Sequence, residues 1–141
     1  MFKKSSILIE LLVSAAILTI GLTAGVAFTG HYFQMMNYNK NKIIATYLAA
    51  RELELVRCQR DTNYYQKKDW KDGFNNSEHG ETALLLDANN NKYNYTSGNP
   101  TVFKEKLEIL YGGNFVKITA TVNWDKGSVV LTETLYNWKT K

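Results

Sequence analysis

The sequence predicts an α+β fold: a long N-terminal helix, its first half membrane-spanning, with an antiparallel β-sheet meander packed on its C-terminal half. Three observations predict it. Residues 6–28 are almost wholly apolar, residues 31–60 carry no Pro or Gly, and several β-rich runs separated by turn residues follow residue 80. The 141 residues suffice for one core and are too few for two ordinary ones.

The apolar run comes first. As a helix, residues 6–28 extend roughly 35 Å, against about 30 Å of bilayer hydrocarbon. Lys3 and Lys4 lie just upstream, and basic flanks stay on the cytoplasmic side, so the rest of the chain is expected outside the cytoplasm. Between Lys4 and Lys40 the single formally charged residue is Glu10. A carboxylate inside a membrane helix costs about 2.5–3.5 kcal/mol on insertion scales. A secretory signal cut near Gly25-Val26-Ala27, or a plain signal anchor, leaves that cost without a purpose. Gly21 and Gly25 form a G-x-x-x-G pair, read either as a close helix-packing face or as the ordinary glycine enrichment of membrane helices.

The string Ser5-Ser6-Ile7-Leu8-Ile9-Glu10-Leu11-Leu12-Val13 resembles the processing motif of type IV prepilins and pseudopilins. In that family a short basic leader ends in a small residue, and a Glu occupies the fifth position of the mature helix. The resemblance implies cleavage between Ser5 and Ser6, with a leader over residues 1–5. Ser5 stands where Gly is the rule and Ser6 where Phe or another apolar residue is common. It further implies a filament subunit, a minor pilin or pseudopilin with a methylated N-terminal Ser6, serving a pilus, secretion or DNA-uptake filament. Its partners would be other subunits, the prepilin peptidase and the assembly machinery. The subunit would lie first in the cytoplasmic (inner) membrane and then in a surface or periplasmic filament. Glu10 would pair with a neighbouring subunit's new α-amine, relieving both buried charges on assembly. The alternative is a membrane-anchored extracytoplasmic binding module that does not polymerise.

The helix is expected over 6–60, transmembrane to about residue 29. Ala45, Leu48, Ala49, Ala50, Glu52, Leu53, Glu54 and Leu55 are good helix formers. Ile44, Leu48 and Leu55, flanked by Tyr47 and Val56, form an apolar stripe for a head to pack on. Glu54 and Arg57 are spaced to pair at i, i+3. Arg60-Asp61-Thr62-Asn63 reads as the exit into a loop anchored by Tyr64, Tyr65, Trp70 and Phe74.

The head spans 61–141, with strands expected over 81–87, 92–96, 102–111, 114–124 and 128–138. Turns fall at Ala88-Asn89-Asn90-Asn91, Gly98-Asn99-Pro100, Gly112-Gly113 and Asp125-Lys126-Gly127. In the fourth strand Val116, Ile118, Ala120, Val122 and Trp124 alternate with polar residues, which predicts one buried face. In the fifth, Val129, Leu131 and Leu135 share a face with Glu133, which has either to reach the sheet edge or to find a partner.

Chemistry-bearing motifs are few. Asp87, Asn89 and Asn91 open a D-x-N-x-N pattern, but Lys92 replaces the turn Gly and Gly98 stands where a calcium loop needs its bidentate Glu, so an Asn-rich hairpin is the preferred reading and no metal is expected. Tyr93, Tyr95, Tyr111, Trp124, Tyr136, Trp138, Lys139 and Lys141 could stack single-stranded nucleic acid; half-buried sheet aromatics with snorkelling lysines is the preferred reading. The formal charge of +4 is too small to argue for such a partner. The single cysteine, Cys58, excludes an intrachain disulfide and has no partner suggesting chemistry. His31 and His79 belong to no motif. No catalytic grouping and no cofactor are predicted.

Overall fold

The computed structural model describes residues 2–75, 83–87 and 89–138, with side chains from residue 7 onward. The described residues form one helix, α1 (Phe2–Tyr65), then five strands: β1 (Ala83–Asp87), β2 (Lys92–Asn94), β3 (Asn99–Tyr111), β4 (Phe115–Trp124) and β5 (Gly127–Tyr136). Two compact units divide it, Met1–Asn39 and Lys40–Lys141. The α+β arrangement is the one expected from the sequence.

In the first unit the apolar side chains face outward on every side: Leu12, Leu18, Ile20, Val26 and Phe28 are all more than 60% exposed. Such a helix is not the core of a soluble fold. The helix is long and apolar enough to cross a membrane. Its hydroxyls bond back to the helix's own carbonyls. Ser14 Oγ donates to Glu10 O (2.8 Å), Thr19 Oγ1 to Ala15 O (2.8 Å), Thr23 Oγ1 to Thr19 O (2.9 Å) and Thr29 Oγ1 to Gly25 O (2.9 Å). These four hydroxyls are thus satisfied without water.

In the second unit the sheet packs on the C-terminal part of α1. The buried seam of the helix is Ala45, Leu48, Ala49, Leu53 and Val56, with Ile44 at its margin. This rotates the expected stripe, because Tyr47 (75% exposed) and Leu55 (56% exposed) face out. The reason is steric: Ala45 and Ala49, each 0% exposed, let the sheet approach where larger side chains would hold it off.

The helix also runs past Arg60. Thr62 Oγ1 donates to Cys58 O (2.7 Å) and Gln59 Nε2 to Asn63 Oδ1 (3.1 Å), both one turn apart. It stops in a Schellman motif with Lys67 in the left-handed conformation (φ 57°). Lys67 N donates to Tyr64 O and Lys68 N to Asn63 O. A lysine where glycine is usual hides this stop from sequence. Asn63, buried, then holds the loop by donating from Nδ2 to Trp70 O (3.3 Å) and Asp72 O (2.6 Å). Trp70 and Phe74 are buried as anchors, edge to face at 6.3 Å.

The sheet order is β2-β1-β3-β4-β5, antiparallel throughout. β3, β4 and β5 are successive hairpin neighbours, whereas β2 lies outside β1, so residues 95–98 cross from β2 to β3 past β1. This departs from a simple meander. Asn99 and Pro100, expected in a turn, open β3 opposite Leu86 and Leu85; a proline is tolerated at a strand's first residues. The inner face carries Phe103, Glu105, Leu107 and Ile109 from β3, with Val116, Ile118, Ala120, Val122 and Trp124 from β4. The β4 alternation is as expected. β5 ends at Tyr136 rather than at residue 138, and Asn137 N bonds Asn114 O. Glu81 and Thr82 of the first expected strand, together with His79, Ala88, Lys139 and Lys141, lie outside the described residues.

Candidate functional site

Ser5 and Ser6, the expected processing pair, lie within α1, but their side chains are outside those described. Glu10 is exposed on the same helix and has no ion pair among the described residues. Exposed apolar residues surround it, including Ile7, Ile9, Leu11 and Val13. Gly21 and Gly25 sit one turn apart, and a Cβ added at either meets nothing within 4 Å. Among the described residues nothing pairs with the carboxylate or lies against the glycine face.

Several charges of the second unit pair with one another. Arg57 donates from Nη2 to Glu133 Oε1 (2.7 Å) and from Nη1 to Glu54 Oε2 (2.9 Å). The predicted helical pair is thus present, and Glu133 finds its partner on α1 rather than at the sheet edge. These two acceptors raise the Arg57 pKa, Glu133 the more strongly. Arg51 donates from Nη2 to Glu52 Oε1 and to Glu105 Oε2, both at 3.0 Å, and from Nη1 to the Tyr93 carbonyl (3.1 Å). Arg51 and Arg57 thus tie the helix to the sheet. Glu105, 1% exposed, also accepts from Tyr95 Oη (3.1 Å). This cluster escaped the sequence reading. Its signal is phase: Glu105 alternates with Phe103, Leu107 and Ile109, which places it on the buried face.

The aromatic set does not form one platform. Trp124 is buried in the core, Tyr93 packs edge to face on Phe103 (6.1 Å), and Tyr95 bonds Glu105. Tyr111 Oη donates to Phe74 O, Tyr136 faces Phe115, and Trp138 meets Tyr64 edge to face at 5.5 Å. In the Asn-rich hairpin Asp87 Oδ1 accepts from Asn89 N (2.9 Å) and Asn91 adopts φ 54°, an Asx-type turn. Gly98 lies against the β1 backbone, at the crossover. Cys58 is exposed.

No family model matches the chain, and no curated protein or solved structure does either.

Proposed function

We propose that the chain is a structural subunit of a type IV pilus-like, secretion or DNA-uptake filament, anchored by its apolar helix until assembly. The observation that carries this reading is Glu10: one carboxylate in an otherwise uncharged apolar stretch, with no ion pair among the described residues. Such a group is costly in lipid unless something outside the chain neutralises it. A new α-amine, created by cleavage between Ser5 and Ser6 and cationic below a pKa near 8, is the matching charge on a second copy. The processing motif supports the same reading, as does the outward apolar surface of residues 7–36. Gly21 and Gly25 then offer a close-approach face between helices. Prepilin peptidase and the assembly machinery would be its partners, with the N terminus cytoplasmic and the head outside.

Intact-mass measurement of the membrane-extracted protein tests it. Loss of residues 1–5 supports the filament reading. An uncut chain points to a non-polymerising anchored module, and a chain starting near residue 28 points to a secreted protein. The charge argument is tested separately by Glu10→Gln, expected to be processed and inserted but depleted from sheared filaments. Normal incorporation of that variant removes the argument.

A further inference from the structure

Two carboxylates in the head, Glu52 and Glu105, share one guanidinium, that of Arg51. Glu52 is 15% exposed and can draw on solvent, whereas Glu105 is 1% exposed. The two oxygens of Glu105 differ. Oε2 accepts from Arg51 and from Tyr95 Oη, while Oε1 is buried and has no hydrogen-bond partner.

The other groups facing Glu105 add no positive charge, and Lys92 of β2, which lines the cleft beside Arg51, makes no ion pair with Glu105 among the described residues. Its cross-strand neighbour on β4 is Val122, followed by Val129 on β5. β1 carries no ionisable side chain between Ala83 and Leu86. Lys104 and Lys106, beside it in β3, point to the opposite face of the sheet. Tyr95, from the crossover, is held in its neutral form by burial and by the adjacent carboxylate.

We propose that Glu105 is a proton-operated latch between α1 and the β2 edge of the sheet. In the latched state Oε1 carries the proton and Oε2 keeps both hydrogen bonds. The cluster then has one cation against one anion, and Arg51 holds the Tyr93 carbonyl. Loss of the proton to solvent leaves two anions on one guanidinium, with a bare charged oxygen in an apolar core. The structure relieves that by admitting water at its weakest margin. That margin is β2, three residues long and paired on one side only, together with the crossover 95–98. Arg51 lines an open cleft of about 500 Å³ with Ile44, Leu48, Lys92 and Tyr93, which brings solvent to the cluster. Burial, then repulsion from Glu52, lifts the Glu105 pKa to about 7, so the change falls in a physiological range.

The test uses the full chain in detergent micelles, with carboxyl-labelled glutamate and site-resolved amide exchange from pH 5 to 9. The Glu105 carboxyl signal is expected to titrate near neutrality. Protection factors at residues 92–98, corrected for intrinsic base catalysis, are expected to fall by up to about tenfold per pH unit from pH 5 toward that midpoint and to level off above it, while those of β4 stay level. In Glu105→Gln the fall should vanish. A carboxyl titrating between 4 and 5, or the same pH-dependent fall in Glu105→Gln, overturns the proposal. Should that variant not fold, the wild-type carboxyl titration and the agreement of its midpoint with the exchange profile decide the matter alone.

Discussion

Replacing Gly98 with alanine tests the crossover, the least ordinary feature of the topology. Gly98 has φ +123°, a conformation L side chains rarely adopt, and its Cα lies against β1. An added Cβ would sit 2.5 Å from Leu86 C and 2.8 Å from Asp87 N. Both atoms are backbone, so neither can swing away, and relief demands moving the strand or the crossover by about half an ångström. The conformational strain alone is worth about 1–3 kcal/mol. The displacement adds to it by disturbing the register of Leu85 with Pro100 and Leu86 with Asn99. A destabilisation of about 3–5 kcal/mol is expected, a large share of the stability of an ordinary domain. Urea unfolding followed by tryptophan fluorescence measures it, because Trp70 and Trp124 are both buried in the head. Gly113→Ala is the internal control. A Cβ there meets nothing within 4 Å, so its effect should lie between zero and a stabilisation of about 1 kcal/mol. If the two variants unfold at the same urea concentration, the crossover does not pass β1 as described.

The other predictions concern charge and packing. Glu105 should make the head more stable in acid: its pKa rises on folding from an ordinary 4.5 to about 7, so its stabilisation is complete below 4.5 and is lost as pH climbs through 7. The rise corresponds to roughly 3 kcal/mol, and Glu105→Gln should flatten that part of the pH profile measured by urea unfolding. Arg57→Ala should cost about 1–2 kcal/mol at neutral pH, mostly by stranding Glu133, whose Oε2 already has no hydrogen-bond partner; Glu133→Gln should recover part of that loss in a double-variant cycle. Ile118→Ala, at a fully buried site, should cost about 2–5 kcal/mol by the same assay.

What could be read from the chain follows from which forces are local. The α1 stretch was legible because an unbroken apolar run with no Pro has few alternatives, and β4 because Val116, Ile118, Ala120, Val122 and Trp124 keep a strict period of two. Glu133 was legible as a problem: one carboxylate in phase with Val129 and Leu131 demands a cation, and Arg57 supplies it. The helix end was not legible, because Lys67 takes the left-handed position that glycine usually marks. Nor was the seam of α1, since Ala45 and Ala49 matter for the space they leave rather than for the apolar area they bury. The placement of β2 outside β1 depends on a backbone contact at Gly98 that no periodicity records. Of the expected assembly site, the position of Glu10 in a helix and its apolar surroundings were legible; no described residue supplies an opposite charge.

Glu10 and Glu105 set the same problem with different solutions, and the contrast bears on the function proposed. Each is a carboxylate among apolar side chains. For Glu105 the fold brings Arg51 from 54 positions away and Tyr95 from the crossover to within about 3 Å, so the charge is managed within one chain. Around Glu10 the nearest residues in sequence are Ile, Leu, Val and Ser, and Ser14 spends its hydroxyl on the backbone. Among the described residues no cation pairs with Glu10. Two sources could serve: an interfacial position with water, or a second copy. These differ in what Glu10→Gln does. If water serves, the substitution should ease insertion and leave everything else unchanged. If a second copy serves, insertion and urea stability of the head should be unaffected while sheared filaments lose the subunit, and a cationic replacement, Glu10→Lys, should be excluded more completely than Gln because it meets the neighbouring amine with like charge. Equal incorporation of wild type, Gln and Lys variants would leave the carboxylate with no part in assembly.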